Sequence, residues 1–446
     1  MTHLPLFHDA PAEAALSAPA EAALSAPPPV LVLGTGTGEA PAFAPDVARL
    51  LDEAEVVAAP RRLLARFPGK RHIALACPLE PALRELEAAR QEGRRCVVLA
   101  DGDPLLYGIG TTLGKRAAFA APGSLRILPG VSAMQTACAR LRLPWHDLTV
   151  LSLHGRNDWL PLAHAALTRR PLCVYTDAAN SPAAIARFLL ERGADWFRMA
   201  VASRLNTTEE SVREYDLPEA AEQNFPGGES VILLPRRDDG VAPGPRFGLD
   251  ERALTLDKGL YTKAPIRAAA LSLLAPRPDD TLWDLGAGSG CLSLEAAALL
   301  PRGRVVALER EESRVSLIRE NRRRIGIPHL DIVHGSAPDA LDGLPDPDAV
   351  FIGGGLGGAR NPNGRILPEA VAARLKPGGR MVAAAALLST LNTLLDFARE
   401  RGLRHSVMQI QAAESAPLAG SLTLKPLNPV FLIGIFPGDA PDRRLP

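Results

Sequence analysis

The sequence predicts two α/β domains in one chain, and three observations carry that prediction. At 446 residues the chain is too long for one ordinary hydrophobic core. Short β-type runs alternate with helix-forming stretches in both halves, the pattern of α/β folds with largely parallel sheets. Between the halves lies RRDDGVAPGPRFG (236–248), a polar stretch rich in Pro and Gly that reads as a linker.

Composition narrows the class. Apolar residues make up 47% and charged residues 22%, as in a soluble globular protein. The formal net charge is +0, which argues against a nucleic-acid partner. The cysteines Cys77, Cys96, Cys138, Cys173 and Cys291 form no CxxC or Cys/His cluster. Neither a metal site nor a disulfide framework is therefore expected, and reduced thiols fit a cytoplasmic protein. No apolar run is long enough for a bilayer, so no membrane partner is expected.

Residues 1–29 read as a disordered or weakly helical tail. PAEAALSA occurs at 11–18 and again at 19–26, followed by Pro27, Pro28 and Pro29. The segment lacks the basic start and apolar stretch of a signal peptide. The first domain, 30–235, is expected to have strands at 30–33, 73–76, 96–100, 125–128, 148–153, 172–175 and 231–234. The second, 249–437, is expected to have seven, at 282–285, 304–308, 330–333, 349–352, 381–384, 407–410 and 430–435. With a helix over 311–325 but no obvious helix between the last two strands, that pair should be antiparallel at the sheet edge.

The strongest local signal is WDLGAGSG (283–290), ending a strand and opening a helix. Glycines let the backbone turn sharply and bring a ligand close to the main chain, and the helix N-terminus adds partial positive charge. The spacing discriminates between ligands. A dinucleotide fingerprint needs a third glycine at 291, where Cys291 stands. Glu309 then closes the next strand, where a carboxylate can accept ribose hydroxyls. G-x-G-x-G followed by an acidic strand end is the pattern of class I methyltransferases, so the cofactor expected is S-adenosylmethionine. An NAD site and a ligand-free turn are the alternatives. HGSAPD (334–339) follows the third strand and would border the adenine, unless it is a simple turn. The fourth strand ends in Gly353, Gly354 and Gly355, an open floor without the N/D-P-P-Y/F motif of base amino-methyltransferases.

YTKAPIR (261–267), the glycine loop, PDPDAVFIGGG (345–355), LKPGGR (375–380) and KPLNPV (425–430) together resemble the decarboxylating precorrin methyltransferase family. The resemblance implies a class I, Rossmann-like seven-stranded fold. It places Thr262, Gly286, Ala287, Gly288, Ser289, Gly290, Glu309 and Ala337 on the cofactor. It also offers Lys263 and Lys425 to substrate carboxylates, against the plainer reading of each as a solvated charge. The implied chemistry is methylation of ring carbon 15 and loss of CO2 from the ring C acetate.

In the first half, GTGTG (34–38), LADGDPLLYG (99–108) and LPGVSAMQ (128–135) each follow a strand, at the edge where α/β ligands bind. The combination resembles the tetrapyrrole methylase family, a class III methyltransferase α/β fold. LRLPW (141–145) and LSLHGR (151–156) narrow it to the carbon-5 methylating branch. Thr37 stands where that family usually has proline. By this match Gly102, Asp103, Leu106, Ser132 and Ala133 line a second cofactor site, although Asp103 is equally at home as a turn residue before Pro104. His154 could touch substrate or serve the fold.

Both resemblances imply one small-molecule partner, an acidic corrin precursor, and a homo-oligomer. Its electron-rich ring carbons attack a sulfonium methyl directly, so alignment and exclusion of water are the main demands. No catalytic acid or base is assigned. Tyr261, Asp284 and His334 lie near the second site, but each has a structural reading. The rival functions are an NAD-dependent reductase, an RNA methyltransferase with an accessory domain, and a non-catalytic cofactor sensor.

Overall fold

In the computed structural model of the chain, the described residues are 27–38, 43–225, 227, 229–235, 244–257, 261–354 and 366–437. The duplicated segment, linker residues 236–243 and Gly355 lie outside them.

Continuous apolar runs build the first sheet: β1 (Val30–Gly34), β2 (Val56–Ala59), β3 (Arg71–Ala74), β4 (Cys96–Ala100) and β5 (Leu125–Leu128). Their order is β3-β2-β4-β1-β5, and every pairing is parallel. Such strands are covered on both faces, which explains VLVLG and CVVLA. Successive residues alternate between two cores, one holding Val30, Val32 and Val98, the other Leu31, Leu33 and Leu99.

The second sheet comprises β6 (Thr149–Ser152), β7 (Leu172–Tyr175), β8 (Phe197–Ser203), β9 (Ser211–Asp216) and β10 (Ser230–Pro235), in the order β6-β7-β10-β8-β9. It is mixed, since β6 runs parallel to β7 and β10 antiparallel to it. The first half thus carries two sheets rather than one, and β2, β8 and β9 are additional to the expected strands.

The third sheet has the expected seven strands: β11 (Thr281–Leu285), β12 (Arg304–Glu309), β13 (Leu330–His334), β14 (Ala349–Ile352), β15 (Arg380–Ala385), β16 (Arg404–Ile410) and, after an unforeseen hairpin of β17 (Ala413–Leu418) and β18 (Ser421–Pro426), β19 (Val430–Phe436). The order is β13-β12-β11-β14-β15-β19-β16. The first five run parallel. β19 is antiparallel to both β15 and the edge strand β16.

By contacts the chain forms two compact units, Met1–His146 with Ala202–Val212, and Asp147–Val201 with Arg213–Pro446. Within the second unit, the helix Pro182–Glu191 and the turn after it reach the seven-stranded part. Arg192 donates to Pro328 O at 2.7 Å and pairs with Asp331 at 2.5 Å, and Arg322 donates to Glu191 O at 2.7 Å. No helix among the described residues is long and apolar enough to cross a membrane.

Candidate functional site

In the second unit the chain leaves β11 into residues 286–290 with Gly286, Gly288 and Gly290 at φ of 75°, 59° and 78°. L-residues rarely adopt these values, so the loop needs its glycines. A Cβ on Gly286 would stand 3.2 Å from Gly354 N, and one on Gly290 3.0 Å from Ile318. The amides of Gly286 and Ala287 donate to Leu308 O at 2.9 and 3.1 Å, tying the loop to β12. Ser289 is fully buried. Its hydroxyl accepts the Asp257 N–H at 3.0 Å, and its carbonyl accepts from Asn321 at 3.0 Å.

Glu309 ends β12 directly beside this loop. Its carboxylate accepts the N–H groups of Gly288 at 2.8 Å, Arg310 at 2.9 Å and Glu311 at 3.1 Å. A carboxylate has about four acceptor positions, so about one is left for a ribose hydroxyl while Gly288 keeps its bond. Gly335 donates to Glu309 O at 2.9 Å, which brings the loop carrying half-buried Ala337 to the same strand end. Gly353 donates to Leu285 O at 2.9 Å, and a Cβ on Gly354 would meet nothing within 4 Å. The floor expected at β14 is therefore open at Gly354.

The three titratable residues left unassigned all have partners. Asp284 accepts the Ser293 hydroxyl at 2.5 Å and its N–H at 3.1 Å, and burial pushes the carboxyl up to about 6. Tyr261 donates to Glu251 at 2.7 Å. His334 pairs with Arg310 O at 2.9 Å and Glu312 at 3.1 Å. Ser293 had escaped the sequence reading, for no local spacing announces a pair that spans the glycine turn.

Arg267, the arginine of the T-K-x-x-x-R motif, is fully buried and belongs to the scaffold. It pairs with Glu295 at 2.8 Å and Glu251 at 3.1 Å, and donates to Thr262 O at 2.7 Å. Thr262 is thereby fixed just before helix Ala264–Leu274. Lys263 stands at the N-cap position of that helix without a side-chain capping bond, its ammonium 3.6 Å from the Tyr261 ring centroid. Lys425 is exposed on a different element, β18, opposite Glu414.

In the first unit three strand ends meet through glycines. A Cβ on Gly130 would lie 2.3 Å from Gly102 O, and one on Gly34 2.4 Å from Gly130 N. Gly102, at φ 63°, donates to Gly36 O at 2.8 Å. A Cβ there would stand 3.5 Å from Ser132 Cα and 3.8 Å from Ala133 N, so the residues expected on β4 and β5 come together. Asp103 does act as a turn residue, its carboxylate accepting the Leu105 N–H at 2.8 Å and its carbonyl the Leu106 N–H at 3.3 Å. Buried Ser132 caps helix Ala133–Leu141 reciprocally with Gln135. Thr37 is tied by its hydroxyl to Thr136 at 3.2 Å and to the Asn206 amide, so the departure from proline leaves this loop fastened. His154 contacts Thr176 O at 3.1 Å.

In each unit glycines let strand-end backbones approach closely, and the second unit also sets a carboxylate beside its loop, a lining that suits a nucleoside-bearing cofactor. Residues 29–221 match the tetrapyrrole (corrin/porphyrin) methylases, and residues 254–435 match the precorrin methyltransferase domain. A Sinorhizobium protein named precorrin-6Y C(5,15)-methyltransferase (decarboxylating) is 34% identical over 90% of this chain and 95% of its own length. Two Salmonella typhimurium proteins match parts of the chain. One, named cobalt-precorrin-6B C(15)-methyltransferase (decarboxylating), is 36% identical over 41% of this chain and 93% of its own. The other, named cobalt-precorrin-7 C(5)-methyltransferase, is 34% identical over 46% and 98%.

Proposed function

The chain belongs to the family of precorrin-6Y C(5,15)-methyltransferases (decarboxylating), and from that premise we propose that it methylates precorrin-6B at carbons 5 and 15 and removes the ring C acetate carboxyl as CO2, giving precorrin-8X in cobalamin biosynthesis. The domain at 30–235 serves carbon 5, and the domain at 249–437 serves carbon 15 and the decarboxylation. The observation that carries this reading is the presence of two separate sets of glycine-lined strand ends in one chain. Relatives named for each single activity, each covering under half of the chain, support the division.

S-adenosylmethionine, when bound, supplies an electrophilic methyl carbon. The chain's residues do the holding. Glu309 takes a ribose hydroxyl, the loop 286–290 follows the cofactor through its backbone, and Thr262 and Ala337 flank it. In the first unit Gly102, Asp103, Leu106, Ser132 and Ala133 play the same part, chiefly through main-chain groups. Lys263, set on the Tyr261 ring, faces a substrate carboxylate, and Lys425 offers a second contact from the hairpin. The nucleophile is the macrocycle's own enamine carbon. As the new C–C bond forms the S–C bond breaks, and the cationic conjugated system left behind accepts the electron pair of the departing carboxylate. The enzyme's contribution is alignment and shielding from water. All five cysteines are free thiols, in keeping with a cytoplasmic enzyme, and the family resemblance carries the homo-oligomer.

Two variants test the division. Gly288→Arg should abolish carbon-15 methylation and CO2 release yet still methylate carbon 5 when given the decarboxylated carbon-15-methylated substrate. Gly102→Arg should do the reverse with precorrin-6B. If either variant, folded by circular dichroism, loses both activities, the assignment of one reaction to each domain is wrong.

A further inference from the structure

Helix Glu312–Ile325 packs one face on the glycine loop of the second unit. Arg314, Ile318 and Asn321 stand four and three residues apart, a spacing that puts them on the same side of a helix. Ile318 lies so near the loop that a Cβ on Gly290 would stand 3.0 Å from it. Arg314 and Asn321 hold a second stretch of chain, residues 255–257, against the same loop.

Asn321 is fully buried, and its amide serves two backbone segments. Its oxygen accepts the Thr255 N–H at 2.7 Å, and its nitrogen donates to Thr255 O at 2.8 Å and to Ser289 O at 3.0 Å. The side chain thus pairs with Thr255 as a neighbouring strand would, and its other hydrogen reaches the glycine loop. The Asp257 N–H closes the circuit on the Ser289 hydroxyl at 3.0 Å, and Arg314 pairs with Asp257 at 2.8 Å. Ser289 is fully buried, so its hydroxyl is committed to this contact rather than offered to a ligand.

An apolar side chain would fill the place of Asn321 without the desolvation that an amide brings. What the amide adds is a fixed distance between two main-chain segments. The loop needs such a tie, because Gly286, Gly288 and Gly290 leave it more conformational freedom than any other residues would. Freedom that remains in the empty site is lost when a ligand binds, and the loss weakens affinity. We infer that Asn321, assisted by Arg314, is a positioning residue for S-adenosylmethionine: it sets the main chain of the glycine loop before the cofactor arrives. The inference rests on the reading of that loop as a cofactor site.

The test is calorimetric titration of the full chain with S-adenosylhomocysteine, in a Gly102→Arg background so that only the second unit reports. Asn321→Leu keeps the bulk of the side chain and deletes its bonds, and should weaken binding about tenfold. Ser289→Ala, which frees the Asp257 N–H, should weaken it about threefold. The double variant should bind no worse than Asn321→Leu alone, since both changes release one fastening. In turnover with Gly102 restored, Asn321→Leu should raise KM for S-adenosylmethionine in carbon-15 methylation, keep kcat of that step within about twofold of the parent, and leave carbon-5 methylation untouched. Arg314→Ala, at a half-buried position, should weaken binding in the same direction and gives the answer if Asn321→Leu fails to fold. Unchanged affinity in Asn321→Leu, or in Arg314→Ala where it stands in, would overturn the positioning role. So would a loss of about thirtyfold in the double variant, or a fall in kcat with KM unmoved. A Gly102→Arg protein that binds no S-adenosylhomocysteine would instead refute the cofactor reading of the loop.

Discussion

Asp284 and Glu309 are only 1% and 3% exposed, yet they are solvated by the protein in different ways. Glu309 collects three backbone N–H groups, those of Gly288, Arg310 and Glu311. Asp284 accepts two hydrogen bonds from Ser293 but loses more to burial than they return, so its carboxyl rises from 3.8 to about 6. A carboxyl whose folded pKa exceeds its unfolded value contributes stability below the unfolded pKa and loses it as pH rises through the folded one. Asp284→Asn, fixed in the neutral form, should therefore exceed the parent in stability by about 2–3 kcal/mol above pH 7. That advantage should vanish below pH 4, as read from urea unfolding across the range. Glu309 was legible in the sequence because the spacing from loop to strand end is a property of backbone geometry. Ser293 was not, because the direction of its side chain depends on how the glycine turn enters the helix.

At the scale of elements, the ends of β1, β4 and β5 approach so closely that Gly34 and Gly130 admit no side chain, while Gly102 is held at φ 63°. Gly130→Ala would push a methyl to 2.3 Å from a main-chain oxygen, where no flexible atom can yield. We expect a loss of about 1–3 kcal/mol in the first unit and loss of S-adenosylmethionine binding to its crevice by calorimetry, with carbon-15 turnover retained. Strands with apolar runs, such as CVVLA and LCVY, were readable because hydrophobic patterning reports burial. VVAA is half alanine, a residue that favours helices over strands, and SVREYD forms the edge of its sheet with charged side chains in water. The β17–β18 hairpin is largely exposed on both faces, so no alternation could announce it. The seven-stranded order has a similar limit: each strand was visible alone, but the insertion of β19 between β15 and β16 is decided by packing.

For the molecule as a whole, length and the repeated α/β pattern were enough to foresee two domains. The contacts that join the second sheet to the third within one unit were not foreseeable, since they rest on isolated polar residues. His164 meets Gly303 O at 2.7 Å and lies 5.6 Å from His329, which meets Ala297 O at 3.0 Å. Arg192, Arg304 and Asp331 share this junction. Burial lowers the pKa of both histidines, that of His329 to about 4. A depressed folded pKa contributes stability above the unfolded value of 6.5 and forfeits it as pH falls toward 4. Protection factors across residues 160–167 and 297–331, with the intrinsic exchange rate divided out, should thus fall between pH 6.5 and 4 in the parent. His329→Gln should flatten that profile, and an identical acid response in both proteins would exclude the pair as its cause. The most direct test of the account is product analysis by mass spectrometry after incubation of the full chain with metal-free precorrin-6B and S-adenosylmethionine carrying a labelled methyl. The account predicts two labelled methyl groups gained and one CO2 lost per macrocycle. A product with a single label, or one that keeps its ring C acetate carboxyl, would contradict it.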